Sequence, residues 1–215
     1  MKAKHIKHLL LIIIAAVAVA GCSSAPSRFY TLTPTAMGDG APAANYAVAV
    51  GPVSVPALVD RPQFTVQVAT NRVELDEFNR WAAPLNESIA RAVAGDLAVL
   101  LGTSDVASGQ IANFNPAYRV TIDVQRFDSI QGEAVVIDAV WAVHALKGGD
   151  TRSGRTLARE TVSGKGFDAL AAAHSRALTK VSADIAAAIR AANAASETPP
   201  PQAEKPKAKT RKPKK

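Results

Sequence analysis

Apolar and polar residues alternate with two different periods along this chain. At 28–33 the run Arg-Phe-Tyr-Thr-Leu-Thr alternates and is rich in aromatic and β-branched residues, which predicts a first strand. Residues 34–45 are mostly Pro, Gly, Ala and Asp and read as a loop. A second strand is expected at 46–55, with Val48 and Val50 on one face and Gly51-Pro52 interrupting it. Proline has no N–H to give to a ladder, so Pro52 and Pro56 predict an edge strand or a bulge. Residues 58–62 form a constrained turn. Phe64, Val66 and Val68 then alternate with Thr65 and Gln67 as a third strand. Asn71-Arg72 marks a hairpin tip, and Val73, Leu75 and Glu77 return as a short fourth strand.

At Trp81-Ala82-Ala83-Pro84 the period changes. Leu85, Ile89, Val93, Leu97 and Leu100 recur at steps of three and four, one apolar stripe of a helix with Pro84 at its first position and Gly102 as its C-cap. Gly95 inside that helix costs about 1 kcal/mol relative to Ala and calls for a close approach, expected against the sheet. Tyr118, Val120, Ile122 and Val124 alternate again, and after a loop at 128–133 so do Val135, Ile137, Ala139, Trp141 and Val143. These predict a long hairpin with one buried side. Lys147-Gly148-Gly149-Asp150 is a turn, 156–163 a further strand, and Leu170, Ala177, Val181, Ile185 and Ile189 the stripe of a last helix capped by Asp168. Strands, helix, strands, helix without strict alternation define an α+β class: a mainly antiparallel sheet with two long helices packed on one face.

The first 21 residues have a different character. Lys2, Lys4 and Lys7 precede an uncharged apolar run at 9–20, too short to span a hydrocarbon core of about 30 Å as a helix. The run closes on Val19-Ala20-Gly21-Cys22, which resembles a bacterial lipobox. That resemblance implies removal of 1–21 and acylation of Cys22, with 22–27 as spacer, 28–195 as one α+β domain and 196–215 as a Pro/Ala/Lys-rich tail expected to be disordered. By resemblance to lipoprotein sorting signals, Ser23 rather than Asp implies the outer membrane. Cys22 is the one cysteine, so no disulfide can form within the chain. Two or more acyl chains hold a protein stably at a bilayer, where a single chain binds reversibly.

Charge changes the picture only by its location. The net charge is +7, but three of the 25 basic residues lie in the leader and seven after Ser196. The remaining 15 face 16 acids, so the folded part is near neutral and offers no basic patch of the kind that binds nucleic acid. The basic tail either solvates the chain end or meets an anionic envelope polymer or lipid head group. No catalytic or metal-binding constellation emerges, and no cofactor is expected. With the leader removed, two histidines remain, His144 and His174, expected at the surface or the edge of the core. Ser163-Gly164-Lys165-Gly166 lacks the phosphate-loop spacing. The polar and aromatic stretch at 60–85 stands out, with Asp60, Arg61, Pro62, Gln63, Asn71, Arg80, Trp81, Pro84 and Leu85 as candidate residues. It reads either as a partner interface, where Arg and Trp are favoured anchors, or as a structural corner.

The same residues carry a family resemblance. Phe29-Tyr30-Thr31-Leu32, Gly51-Pro52-Val53-Ser54-Val55-Pro56, Asp60-Arg61-Pro62-Gln63, Phe78-Asn79-Arg80-Trp81-Ala82-Ala83-Pro84-Leu85 and Leu100-Leu101-Gly102 occur in order. Together they resemble the ABC-type transport auxiliary lipoproteins, specifically the PqiC (YmbA-like) group. Leu58, Val68 and Ala83 depart from that pattern. The resemblance implies an outer-membrane lipoprotein facing the periplasm, non-enzymatic, docking an MCE-domain protein that bridges the envelope in lipid transport or membrane integrity. It is compatible with a homo-oligomeric ring around a tube-like partner. A free-standing envelope adaptor or ligand-binding lipoprotein is the alternative.

Overall fold

The computed structural model describes residues 25–109 and 112–197, together with His5. The leader, Cys22 and the tail after Glu197 lie outside the described residues, and so do the expectations placed on them. The described chain forms β1 (Arg28–Tyr30), β2 (Val48–Ser54), β3 (Gln63–Ala69), β4 (Arg72–Trp81), α1 (Leu85–Leu101), β5 (Val106–Ser108), β6 (Tyr118–Ile130), β7 (Ala134–Ala145), β8 (Arg152–Thr161) and α2 (Gly166–Glu197). The class is α+β, as the alternating periods predict.

The eight strands make one mixed sheet. The long antiparallel run β6–β7–β8 is one side of it, with β8 at the edge, and β3–β4 is a second antiparallel pair. Four pairings are parallel: β1 with β4, β2 with β5, and β6 with both β2 and β3. Along one side of β6, β2 covers Tyr118 to Asp123, and β3 reaches only Ile130. One apolar core joins the inward residues of the strands to both helices, with Ile89, Val93, Leu97, Val181, Ile185 and Ile189 completely buried. The α1 stripe closes on Leu101 rather than on Leu100, which is only half-buried.

Several expectations are corrected. Of the two readings of β2, the bulge holds and the edge does not, since β2 is paired on both sides. Pro52 is accommodated by a register shift between Val50 and Val53, with Gly51 at φ +125, a conformation that side chains disfavour. β4 is ten residues long rather than short, because a bulge carries it past Asp76. Gln63 pairs with Arg80 and Phe64 with Asp76, so three β4 residues have no β3 partner. The Asp76 carboxylate accepts the N–H groups of Phe78 and Asn79 at 2.9 and 2.7 Å, satisfying donors the bulge frees from the ladder. Desolvation is the largest single influence on the Asp76 carboxyl and raises it, but these hydrogen bonds and one from the Asn79 side chain together outweigh it and hold the pKa below its ordinary value.

Pro84 is the N-cap, not the first helical residue. Its ψ of 134 is extended, while its carbonyl accepts the Ser88 N–H at 3.0 Å. Gly102 does end α1, in the left-handed conformation. Gly95 is packed against Pro34 of the 34–45 segment and not the sheet: a Cβ there would lie 2.3 Å from Pro34 Cγ. The 128–133 loop shrinks to a tight turn after Ile130, and β8 begins at Arg152. Asp168 lies inside the first turn of α2, favourable for the helix dipole, but the helix starts before it.

The topology gives the domain two ends. β3 and β6 run parallel and both finish at one end, where the β3–β4 and β6–β7 turns lie. β8 returns to that end and α2 starts there. α2 then crosses the sheet, with Arg176 at Thr161, Asp184 at Thr156 and Asn193 at Tyr118. At 1.5 Å per residue its 32 residues span about 48 Å. Among the described residues no helix is long and apolar enough to cross a membrane.

Candidate functional site

The stretch 56–85 folds into one corner. The Val59 and Asp60 N–H groups both donate to the Pro56 carbonyl, at 3.0 and 3.1 Å, and Arg61 N–H donates to Val59 O at 2.8 Å. Val59 is tucked inward, leaving Asp60, Arg61 and Pro62 exposed. Trp81 N–H reaches the Pro62 carbonyl at 2.7 Å, and Ala82 N–H reaches Tyr30 O at 2.9 Å. The corner is thereby sewn to both neighbouring strands.

The sequence-derived candidates separate into two groups. Trp81 and Leu85 are buried, at 5% and 2% exposure, and belong to the core. Trp81 stacks on Phe64 with ring centroids 4.4 Å apart. Asp60, Arg61, Pro62 and Pro84 are exposed around that buried tryptophan, and Gln63 and Arg80 are half-buried beside it. Among the described residues, Asp60 and Arg61 make no side-chain hydrogen bond or ion pair. Arg80 donates to the Glu77 carbonyl at 2.7 Å and lies 3.6 Å from its carboxylate. Asn71 is not part of the corner; it sits at the β3–β4 turn, at the other end of the hairpin.

Two polar clusters were not legible in the sequence. The first centres on Asp96, which is wholly buried. Its Oδ1 accepts the N–H groups of Thr35 and Ala36 at 2.8 and 2.9 Å, and its Oδ2 accepts the hydroxyls of Thr179 and Ser182, each at 3.0 Å. One side chain thus joins the N-terminal segment, α1 and α2. A partial signal was available, since Asp96 interrupts the most apolar face of the first helix.

The second centres on His174, which is fully buried and not at the surface or core edge as expected. Its ring stacks on Phe127 at 3.9 Å, within 3° of parallel, and Nε2 pairs with Ser129 Oγ at 2.8 Å. Nδ1 has no hydrogen-bond partner among the described residues. Desolvation drives the imidazole pKa down to about 3, so the ring is neutral near pH 7. The Ser–His pair has the spacing of a nucleophile and base, but Ser129 is 2% exposed and substrate has no approach to it. His144 bridges Thr121 and Thr151 at 3.4 and 3.2 Å.

An open cleft of about 550 Å³ lies between the Gly51-Pro52 bulge and the first turns of α1, with Glu87 and Arg91 as its charged groups. No group of three potential metal ligands occurs among the described residues. What the geometry offers is a rigid corner: a charged, exposed tip over a buried aromatic anchor.

Residues 30–186 match the family described as the ABC-type transport auxiliary lipoprotein component, and the chain belongs to that family. Its fold is similar to a crystal structure of a Xanthomonas campestris protein, with a TM-score of 0.67 and 21% identity over 80% of this chain and all of the other. A second solved structure, of an uncharacterized protein, gives a TM-score of 0.63 at 21% identity, covering 77% of this chain and 99% of that one. No curated protein matches the chain.

Proposed function

We propose that this lipoprotein is acylated at Cys22, faces the periplasm from the outer membrane, and serves as the non-enzymatic docking component of an MCE-type intermembrane lipid-transport or membrane-integrity system, as in the PqiC group. The family match over residues 30–186 carries the reading, because it makes the chain an auxiliary lipoprotein of a transport system. The Val19-Ala20-Gly21-Cys22 sequence and Ser23 support the anchor and its destination. The exposed Asp60-Arg61-Pro62 tip supports docking: it is preorganised by backbone hydrogen bonds, so a partner meets it with little ordering entropy to overcome. A ring of copies suits a tube-like MCE partner, and the basic tail suits an anionic envelope polymer or lipid.

The test is crosslinking and affinity capture of the tagged protein from its own envelope, with the captured proteins identified by mass spectrometry. Recovery of an MCE-domain protein is the expected result. Recovery of only the chain itself or cell-wall components would instead make it a free-standing envelope lipoprotein.

A further inference from the structure

The parallel pairing of β1 with β4 fixes the direction in which the N-terminal tether leaves the domain. Arg28 pairs with Asn79, Phe29 with Arg80 and Tyr30 with Trp81. The chain before Arg28 therefore heads toward the start of β4, which is the β3–β4 turn. Six residue steps separate Cys22 from Arg28 and span at most about 20 Å. β3 advances the same number of steps from Gln63, opposite Arg80, to Ala69, opposite Arg72, also about 20 Å. The hairpin projects as far as the tether can reach. A tether any less extended brings the hairpin end closer to the bilayer.

The outer face of that hairpin exposes apolar side chains on β4 beside Thr65 and Gln67 of β3. Phe64 and Val66 point into the core, so their cross-strand register puts Leu75, opposite Thr65, and Val73, opposite Gln67, on the other face. Leu75 and Val73 are 40% and 43% exposed. Phe29 and Phe78 are more exposed still, on the adjoining strand and the bulge. Arg72 and Lys165 stand at the turn end of the fold, Arg72 3.8 Å from the Glu74 carboxylate. Exposed aliphatic residues beside basic ones suit the boundary between head groups and acyl chains.

We infer that the outer face of the β3–β4 hairpin, at Val73 and Leu75, rests in the interfacial layer of the leaflet that holds the Cys22 lipid. This rests on the acylation of Cys22 proposed above. The lipid and the hairpin form two contacts that fix the orientation of the domain on the membrane.

The experiment uses the full chain, purified from membranes and reconstituted into phosphatidylethanolamine–phosphatidylglycerol vesicles containing spin-labelled phosphatidylcholine. Acylated Cys22 has its sulfur in a thioether, so a cysteine introduced by Leu75→Cys or Leu146→Cys is the reactive thiol for a pyrene maleimide. Leu146 is exposed at the opposite end of the sheet. Pyrene at 75 is expected to lose most of its emission to the spin-labelled lipid, and pyrene at 146 to keep it. Val73→Cys should repeat the result. With the acyl mass present on the N-terminal peptide, equal quenching at 75 and 146 would overturn the inference and leave the lipoprotein reading standing. Excimer emission from position 75 without lipid quenching would assign the face to a second copy and overturn it too. Absence of the acyl mass would overturn both.

Discussion

Asp96 Oδ2 lies 3.0 Å from the Ser182 hydroxyl, a buried contact between side chains 86 positions apart. It joins the centre of α1 to the centre of α2, and the other oxygen of the same group captures the backbone at Thr35 and Ala36. Replacing Asp96 with Ala strands these donors in the core. The expected loss is about 3 kcal/mol, with Asp96→Asn losing less because one acceptor oxygen remains. Thermal unfolding followed by circular dichroism measures both variants, and an unchanged Asp96→Ala midpoint would contradict the assignment.

Gly95→Ala should destabilise the protein although Ala is the better helix former by about 1 kcal/mol. The added Cβ would fall 2.3 Å from Pro34 Cγ, so the 34–45 segment has to move. Overpacking of this kind costs about 1–3 kcal/mol. Pro34→Gly in the same chain should restore part of the loss, and a double-mutant cycle in urea measures the coupling.

Acid should weaken the fold through His174. Its folded pKa is about 3 and its ordinary value 6.5, so between these the unfolded chain binds the extra proton. The stabilisation is complete above the unfolded pKa and is lost as pH falls toward 3, with a slope of up to about 1.4 kcal/mol per pH unit. His174→Phe keeps an aromatic ring over Phe127 and removes the titration. Urea unfolding at pH 7 and pH 5 should show a drop in the wild type that the variant largely lacks. Equal drops would place the acid sensitivity elsewhere, among carboxyls held low by their partners such as Asp138 with Arg155 and Glu160 with Lys180.

The corner separates binding from folding. Asp60→Ala and Arg61→Ala remove exposed side chains without partners among the described residues and should change stability by no more than about 0.5 kcal/mol. If the tip docks a partner, both should reduce its capture from the envelope. Trp81→Ala removes the ring stacked on Phe64 and should cost about 3–5 kcal/mol. Loss of capture only with Trp81→Ala would make the stretch purely structural.

What was legible in the chain follows from which interactions are local. The alternation at 118–124 and the stripe from Leu85 to Leu97 declare their elements because each repeats a single period over many residues. The three-residue β5 carries too few residues to show one. Parallel neighbours such as β1 and β4 lie about fifty residues apart, and no turn signal joins them. The β4 bulge depends on Asp76 turning its carboxylate onto its own backbone, which a period-two reading does not anticipate. Gly95 announced a close approach but not its partner, since Pro34 is 61 residues away. At the corner, composition marked the right stretch but could not tell inward Trp81 from outward Arg61. That division is made by the register with β1 and β3.

The length of α2 has a consequence for height. The helix begins at the turn-bearing end of the sheet and finishes about 48 Å away, so in the orientation inferred above the domain stands on its tether like a mast. With the tether end at the bilayer, Glu197 sits at the masthead. Whatever the basic segment beyond it meets, the search starts farther from the anchoring leaflet than a hydrocarbon core of about 30 Å is thick.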